Sequence, residues 1–229
     1  YSAFANPEAA ASQSQSPRVT DLALGGSLSE TRYPKAGQTN PEVKIGIVEV
    51  SFSPIGTPIK WADFDPKEDQ YFGIPFWGPD SQEFFVARMP RLQNTMDLYS
   101  VSAKTGAKKH IYHETYKTWL NWIDSPVFTD KGLYMVRDFE TGWQQIYFLS
   151  YDGTEFRRLT DGPNWNVSIV RVDEKKGDVY FTAKRDAVAK QALYKVDKKG
   201  VIKALTDPSY NATGISFSPD GKYFVASLS

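Results

Sequence analysis

Two stretches decide the fold. "QQIYFLSYDGTEFRRLTDG" (Gln144–Gly162) and "QALYKVDKKGVIKALTDP" (Gln191–Pro208) share one plan. Each opens with a short strand carrying an aliphatic-Tyr pair, turns through Asp-Gly or Lys-Gly, and runs into a second strand ending in Leu-Thr-Asp. The two Leu-Thr-Asp triplets, Leu159–Asp161 and Leu205–Asp207, lie 46 residues apart. "MDLYSVS" (Met96–Ser102), the turn "AKTGA" and "KKHIYHE" (Lys108–Glu114) follow the same plan earlier in the chain. Upstream of each hairpin stands a polar turn and an alternating, aromatic-rich strand: "WGPDSQEFFVAR" (Trp77–Arg88), "FTDKGLYMVRD" (Phe128–Asp138) and "VDEKKGDVYFTAKR" (Val172–Arg185). "SFSPDGKYFVASLS" (Ser216–Ser229) starts the same pattern once more.

A repeat of roughly 45 to 50 residues falls in the range of propeller blades. With a lead-in strand such as "VSIVRVD" (Val167–Asp173), each unit holds four short antiparallel strands, the make-up of a β-propeller blade. The reading is all-β, with whole blades over 72–114, 119–161 and 166–207. "VKIGIVEVSF" (Val43–Phe52) with "TPIKWADFD" forms the last two strands of an earlier blade, and 214–229 the first two of a later one. Three whole blades and two halves make a partial propeller over 41–229. An open arc is expected rather than a small closed ring, and with it a chain that is a segment of a longer one, because a domain boundary does not normally divide one sheet. Residues 1–40 contain "ANPEAAASQSQSP", a low-complexity segment without strand periodicity, expected as loop or insertion with a short helix at Asn6–Ser12, Asn6 capping it and Pro7 at its first helical position.

Composition removes several function classes. Lys+Arg and Asp+Glu both number 27, so no basic excess points to nucleic acid. No apolar run reaches 18 residues, so no membrane span is expected. With no cysteine there are no disulfides, thiolate metal sites or cysteine nucleophiles. The chain begins at Tyr1 without a signal-peptide pattern, consistent with a mature or trimmed product. Aromatics reach 14%, a content that suits strands.

"RYPKAGQTNPEVKIGIVEV" (Arg32–Val50) closely resembles the Tyr-Pro-Lys-Ala-Gly-x-x-Asn-Pro-x-Val-Lys segment of the dipeptidyl peptidase IV family of prolyl oligopeptidase-type serine peptidases. Tyr33, Pro34, Lys35, Ala36, Gly37, Asn40, Pro41, Val43 and Lys44 all match. "RLQNTMDLY" (Arg91–Tyr99) is similar to the family's Arg-x-Gln-Asn stretch. "ETGWQQIYF" (Glu140–Phe148) resembles its Gly-aromatic-Arg-His strand, with Gln144-Gln145 departing from the usual pair. The resemblance implies an eight-bladed propeller joined to an α/β-hydrolase domain carrying Ser, Asp and His, an enzyme that removes N-terminal dipeptides with Pro or Ala second. It also implies an exported, periplasmic or secreted address, and is compatible with a homodimer; the lack of cysteine favours a bacterial source. The family's substrate-amine-binding Glu pair has no counterpart, since no Glu-Glu occurs in this chain.

The chemistry itself is expected elsewhere, in a hydrolase domain outside this chain. No Gly-x-Ser-x-Gly elbow occurs, and "GGSLS" (Gly25–Ser29) lacks the closing glycine. His110 and His113, the only histidines, are three apart on one strand; regular alternation points them to opposite faces, which excludes shared metal chelation. No metal and no cofactor is therefore expected. The substrate-binding candidates are aromatic and basic loop residues. Trp119 and Trp122 in "KTWLNWID" (Lys117–Asp124) enter a blade beside the central channel, with interblade packing as the competing role. Arg88 and Arg91, flanking Met89-Pro90 in a loop, could meet a peptide carbonyl or carboxylate, or form structural salt bridges with partners such as Asp97 or Asp138. The expected partners are a peptide substrate and the hydrolase domain of the same parent chain. Two rival readings are a stand-alone propeller binding peptides or proteins, and a propeller glycosidase using carboxylates such as Asp63, Asp65 or Asp124. Two sequons, at Asn166 and Asn211, matter only in a eukaryotic secretory pathway.

Overall fold

The structure, a computed structural model, describes residues 34–50 and 58–229. Seventeen strands and no helix occur among them. The helix expected at Asn6–Ser12 lies outside the described residues, as does Tyr33 of the family-like motif.

Three four-stranded paths carry the fold. The first sheet orders β3 (Gln70–Phe72), β5 (Glu83–Pro90), β6 (Thr95–Ser102) and β7 (Lys108–Thr115), with β4 (Phe76–Trp77) also on β5. The second holds β8 (Val127–Phe128), β9 (Gly132–Arg137), β10 (Gln145–Ser150) and β11 (Phe156–Arg158), and the third β12 (Trp165–Asp173), β13 (Asp178–Lys184), β14 (Ala192–Val196) and β15 (Ile202–Ala204). Every pairing is antiparallel, and all but β3 with β5 join strands consecutive in the chain. Two-stranded sheets flank them: β1 (Gly46–Ile47) with β2 (Lys60–Trp61), and β16 (Ala212–Phe217) with β17 (Phe224–Leu228). The two half blades belong to separate sheets, so the arc is open, as expected. The first is shorter than the sequence suggested, with two residues paired on each side.

The repeated Leu-Thr has a physical cause. At the end of the second sheet Leu159 N–H donates to Ile146 O (2.8 Å) and the Thr160 hydroxyl oxygen accepts from Ile146 N–H (2.9 Å). In the third sheet Leu205 N–H donates to Leu193 O (2.7 Å) and Thr206 Oγ1 accepts from Leu193 N–H (3.0 Å). A threonine thus satisfies a strand donor just where its neighbour strand leaves the ladder. The Ser-x-Asp-Gly turns also match. Asp152 accepts from Ser150 Oγ (2.6 Å) and Thr154 N–H (3.0 Å), and Asp220 from Ser218 Oγ (2.7 Å) and Lys222 N–H (3.1 Å). These bonds, those from Ser150 and Ser218 foremost, hold both carboxyls below the usual aspartate range, Asp152 down to about 2. Gly153 and Gly221 supply the positive φ the turn needs.

The strands do not alternate as cleanly as a half-buried sheet would. In β5, Phe85, Ala87 and Met89 face one core with Leu133, Met135, Tyr147 and Leu149 of the second sheet, while Phe84 and Val86 face another with Ala62 and Val101. Tyr134, Ile146 and Phe148 cover the third sheet's Val179, Phe181 and Tyr194. Each blade is sandwiched between neighbours, so both faces are apolar.

One irregularity decides later chemistry. Leu98 pairs with Tyr112 but Tyr99 pairs with His110, which leaves Ile111 as a bulge in β7. The bulge shifts the alternation by one residue, and His110 and His113 come to lie on the same face rather than on opposite ones. The expectation that they cannot meet one ion fails for this reason.

Candidate functional site

Because successive strands are antiparallel, loops between the second and third strands of a blade, and those leading into the next blade, emerge at the same end. This end carries residues 91–94, 116–126, 138–144, 159–164 and 185–191. Its exposed large apolar side chains include Leu92, Trp119, Trp143 and Val188, with Trp165 beside them at the start of β12.

The lead-in loop 116–126 is pinned from three sides. Leu120 and Ile123 are buried in the core between the first two sheets. Trp122 packs against the same core, over Gly73, where a β-carbon would lie 2.9 Å from its ring. The segment resembling Arg-x-Gln-Asn holds the other side. Gln93 O accepts from Leu120 N–H (2.9 Å), Gln93 Oε1 accepts from the Trp119 indole (2.9 Å), and Asn94 O accepts from Tyr116 N–H (2.9 Å).

Beneath the loop is a buried ion pair that sequence reasoning missed. The side chains of Glu114, on β7, and Arg137, closing β9, are 0% and 1% exposed. Arg137 Nε donates to Glu114 Oε2 (2.9 Å) and Nη2 to Glu114 Oε1; Nη2 also reaches Asn121 O (2.7 Å) and Nη1 reaches Trp122 O (3.1 Å). The Tyr112 hydroxyl donates to the same carboxylate. A planar guanidinium can serve a carboxylate and two backbone carbonyls at once, which an ammonium cannot. Burial pulls the Arg137 guanidinium down, but the hydrogen bond and charge of Glu114 together hold it above its ordinary value. Burial first, then Glu114, push the Tyr112 phenol well above the ordinary tyrosine range. The only forewarning in the sequence was a charged residue at each of two strand ends.

The loop, β9 and β12 enclose a cleft of about 240 Å³ lined by Asn121, Trp122, Asp124, Ser125, Arg137, Asp138, Gln144 and Ser168. A second, more open cleft of about 660 Å³ lies between Tyr116–Lys117 and Phe139–Gly142. Gln144, where the family-like strand departs from its usual residue, accepts from Val167 N–H (2.8 Å) and so ties the second blade to the third.

The predicted residues are not gathered in one place. Trp122 lines the first cleft; Trp119, 57% exposed, stands beside Gln93 instead. Arg88 lies within β5, not in a loop, and bonds Gln70 Oε1 (2.5 Å) and Glu68; Arg91, just past β5, reaches Gln38 O (2.7 Å) and Asp69 (3.5 Å). Their acidic partners are therefore Glu68 and Asp69, not Asp97 or Asp138. Asn40 of the family-like motif is buried and donates to Asp69 (2.6 Å) and Tyr71 (2.9 Å). Arg91 and Asn40 together clamp the motif segment onto the first blade.

Radial four-stranded blades, an open arc and a loop-built face with clefts define a portion of a β-propeller. The family profile described as the dipeptidyl peptidase IV N-terminal region matches residues 10–229, and the chain belongs to that family. A probable dipeptidyl peptidase 4 of Emericella nidulans is 30% identical over 212 residues, covering 86% of this chain and 27% of that protein. Dipeptidyl peptidase 4 of Trichophyton rubrum is 27% identical over 208 residues, covering 86% and 26%. The crystal structure of Porphyromonas gingivalis dipeptidyl peptidase 4 superposes with a TM-score of 0.69 at 27% identity, covering 85% of this chain and 27% of that one. A putative dipeptidyl aminopeptidase IV from Bacteroides ovatus shares the fold, with a TM-score of 0.69 at 20% identity over 96% of this chain and 34% of that one. The chain thus spans about a quarter of the length of the curated relatives it matches. Among the described residues no helix is long and apolar enough to cross a membrane.

Proposed function

We propose that this chain is the propeller portion of a serine-type exopeptidase that releases dipeptides from the N termini of peptides with Pro or Ala second. Its loop-built face shapes and gates the substrate cavity, and the nucleophile belongs to an α/β-hydrolase domain of the parent protein. The observation that carries this reading is the family match over 10–229, joined to relatives named as dipeptidyl peptidases of which the matched region is only about a quarter. Their remaining length favours the enzyme over a stand-alone binding propeller. An exported address, periplasmic or secreted, and a homodimer complete the reading.

The lead-in loop supplies the mechanism. A peptide in the cleft needs walls that do not move, and the Glu114–Arg137 pair holds the Asn121 and Trp122 carbonyls against the blade. Preorganisation of this kind lowers the entropy lost on binding. Trp122 contributes apolar wall, while Asp124, Asp138 and Gln144 add polar edges. Arg88 and Arg91 remain within the reading as residues that steady the substrate-facing rim.

The complete protein should hydrolyse Gly-Pro and Ala-Pro chromogenic substrates, and residues 1–229 alone should not. A fluorophosphonate should label a serine outside 1–229. In the complete protein Trp122→Ala should raise KM more than it lowers kcat, as expected for binding shared by ground and transition states. Labelling within 1–229, or a complete protein inert toward both substrates, would overturn the assignment.

A further inference from the structure

The bulge at Ile111 brings together the only two histidines of the chain and one aspartate. Asp97 on β6 is the cross-strand neighbour of His113, and His110 pairs with the adjacent Tyr99. His113 Nδ1 lies 2.6 Å and His110 Nε2 3.0 Å from the same oxygen, Asp97 Oδ1. The three donor atoms all fall within 4.8 Å of one another. Arg88, opposite Asp97 on β5, is engaged by Glu68 and Gln70. The histidine side chains are about half exposed and the aspartate 22% exposed, so an ion can reach them from solvent.

We propose that Asp97, His110 and His113 form a binding site for a first-row divalent metal ion, Zn²⁺ being the best match. Zinc–nitrogen and zinc–oxygen bonds of about 2.0–2.2 Å place tetrahedral ligand atoms about 3.3 Å apart. The present spacing reaches this with small side-chain rotations. Two imidazoles and one carboxylate suit Zn²⁺, Co²⁺, Ni²⁺ or Cu²⁺, whereas Ca²⁺ and Mg²⁺ call for oxygen-rich shells. Three protein ligands leave a position for water. β7 ends the strand order of its sheet, and all three ligands come from β6 and β7. A bound ion would cross-link the last strand to its neighbour at the point where the bulge interrupts the ladder. Neither cleft of the loop-built face includes these residues, so the site is separate from the proposed substrate face.

The test uses the complete protein, stripped with EDTA and dialysed. Equilibrium dialysis with Zn²⁺ should show one bound equivalent that Asp97→Asn, His110→Ala and His113→Ala each lose or weaken by more than about a hundredfold, beyond the tenfold to hundredfold typical of residues that only support a ligand. Co²⁺ should give a visible d–d absorption that disappears in the same variants. A readout needing no substitution is protection of His110 and His113 from diethyl pyrocarbonate, mapped by mass spectrometry. Saturating Zn²⁺ should slow both modifications at least tenfold. Unchanged stoichiometry in all three variants, or equal modification with and without Zn²⁺, would overturn the site and leave Asp97 as a plain hydrogen-bond bridge between two imidazoles.

Discussion

Replacing Arg137 with methionine keeps much of the side chain's length while removing its charge and every donor. The Glu114 carboxylate would keep the Tyr112 hydroxyl and lose its guanidinium, and the Asn121 and Trp122 carbonyls would lose their donors. Both charged side chains are at most 1% exposed, so solvent screening gives no relief. Breaking one partner of a buried pair costs about 3–5 kcal/mol. At about 1.4 kcal/mol per tenfold, that corresponds to a loop opening roughly 10² to 10³·⁵ times more often. Hydrogen–deuterium exchange of the peptide 116–125 reads this directly, since the Leu120 amide is protected by Gln93 O. Asp138→Ala is the control, because it removes an exposed bond from Asn121 (3.2 Å) and a weak charge interaction with Arg137 but leaves the buried pair and both carbonyl bonds in place, and it should change exchange by no more than a few fold. Glu114→Leu with Arg137→Met should recover the part of the loss due to the buried charge and retain the part due to the two carbonyls. Exchange in Arg137→Met within tenfold of the wild type, or no different from Asp138→Ala, would refute the clamp.

Thr160→Val should cost about 1–3 kcal/mol by orphaning the buried Ile146 N–H and withdrawing the donor to Gln145 Oε1, and calorimetry should show a smaller loss at Thr206→Val, which orphans Leu193 N–H alone. Gly106→Ala and Gly142→Ala share a positive φ (+78° and +75°), but a β-carbon at Gly106 collides with the Trp61 carbonyl while one at Gly142 meets nothing. Gly142→Ala should therefore cost about 1–2 kcal/mol of strain and Gly106→Ala clearly more; equal melting temperatures would contradict this. The Tyr194 phenol is pushed up to about 12, chiefly by burial and then by its bond to Asp186. Because its folded value is raised, its contribution is complete below pH 10 and is lost as pH rises through 12, and absorbance at 295 nm should show a tyrosine step near pH 12 that Tyr194→Phe removes.

Blade architecture was legible because it is written locally and repeated. Leu-Thr-Asp recurs in the second and third blades since the same hydroxyl ends the same ladder in both, and Ser-x-Asp-Gly recurs in two turns that need the same oxygen acceptor. The family-like segments were readable for a related reason: the side chains of Asn40, Arg91 and Gln93 make bonds that few others could make. What only the tertiary structure decided involves partners distant in sequence. Glu114 and Arg137 are 23 residues apart and look like two unrelated strand-end charges until packing buries them together. Arg88 and Arg91 found Glu68 and Asp69 because β3 lies alongside β5, a pairing no periodicity announces. The two histidines were misread because alternation assumes an unbroken ladder, whereas a bulge is set by how two strands meet. Sequence thus determined the elements and their repeat through local hydrogen bonding and apolar patterning. Tertiary structure alone determined which charges meet and which face each histidine takes, since both depend on the register between strands.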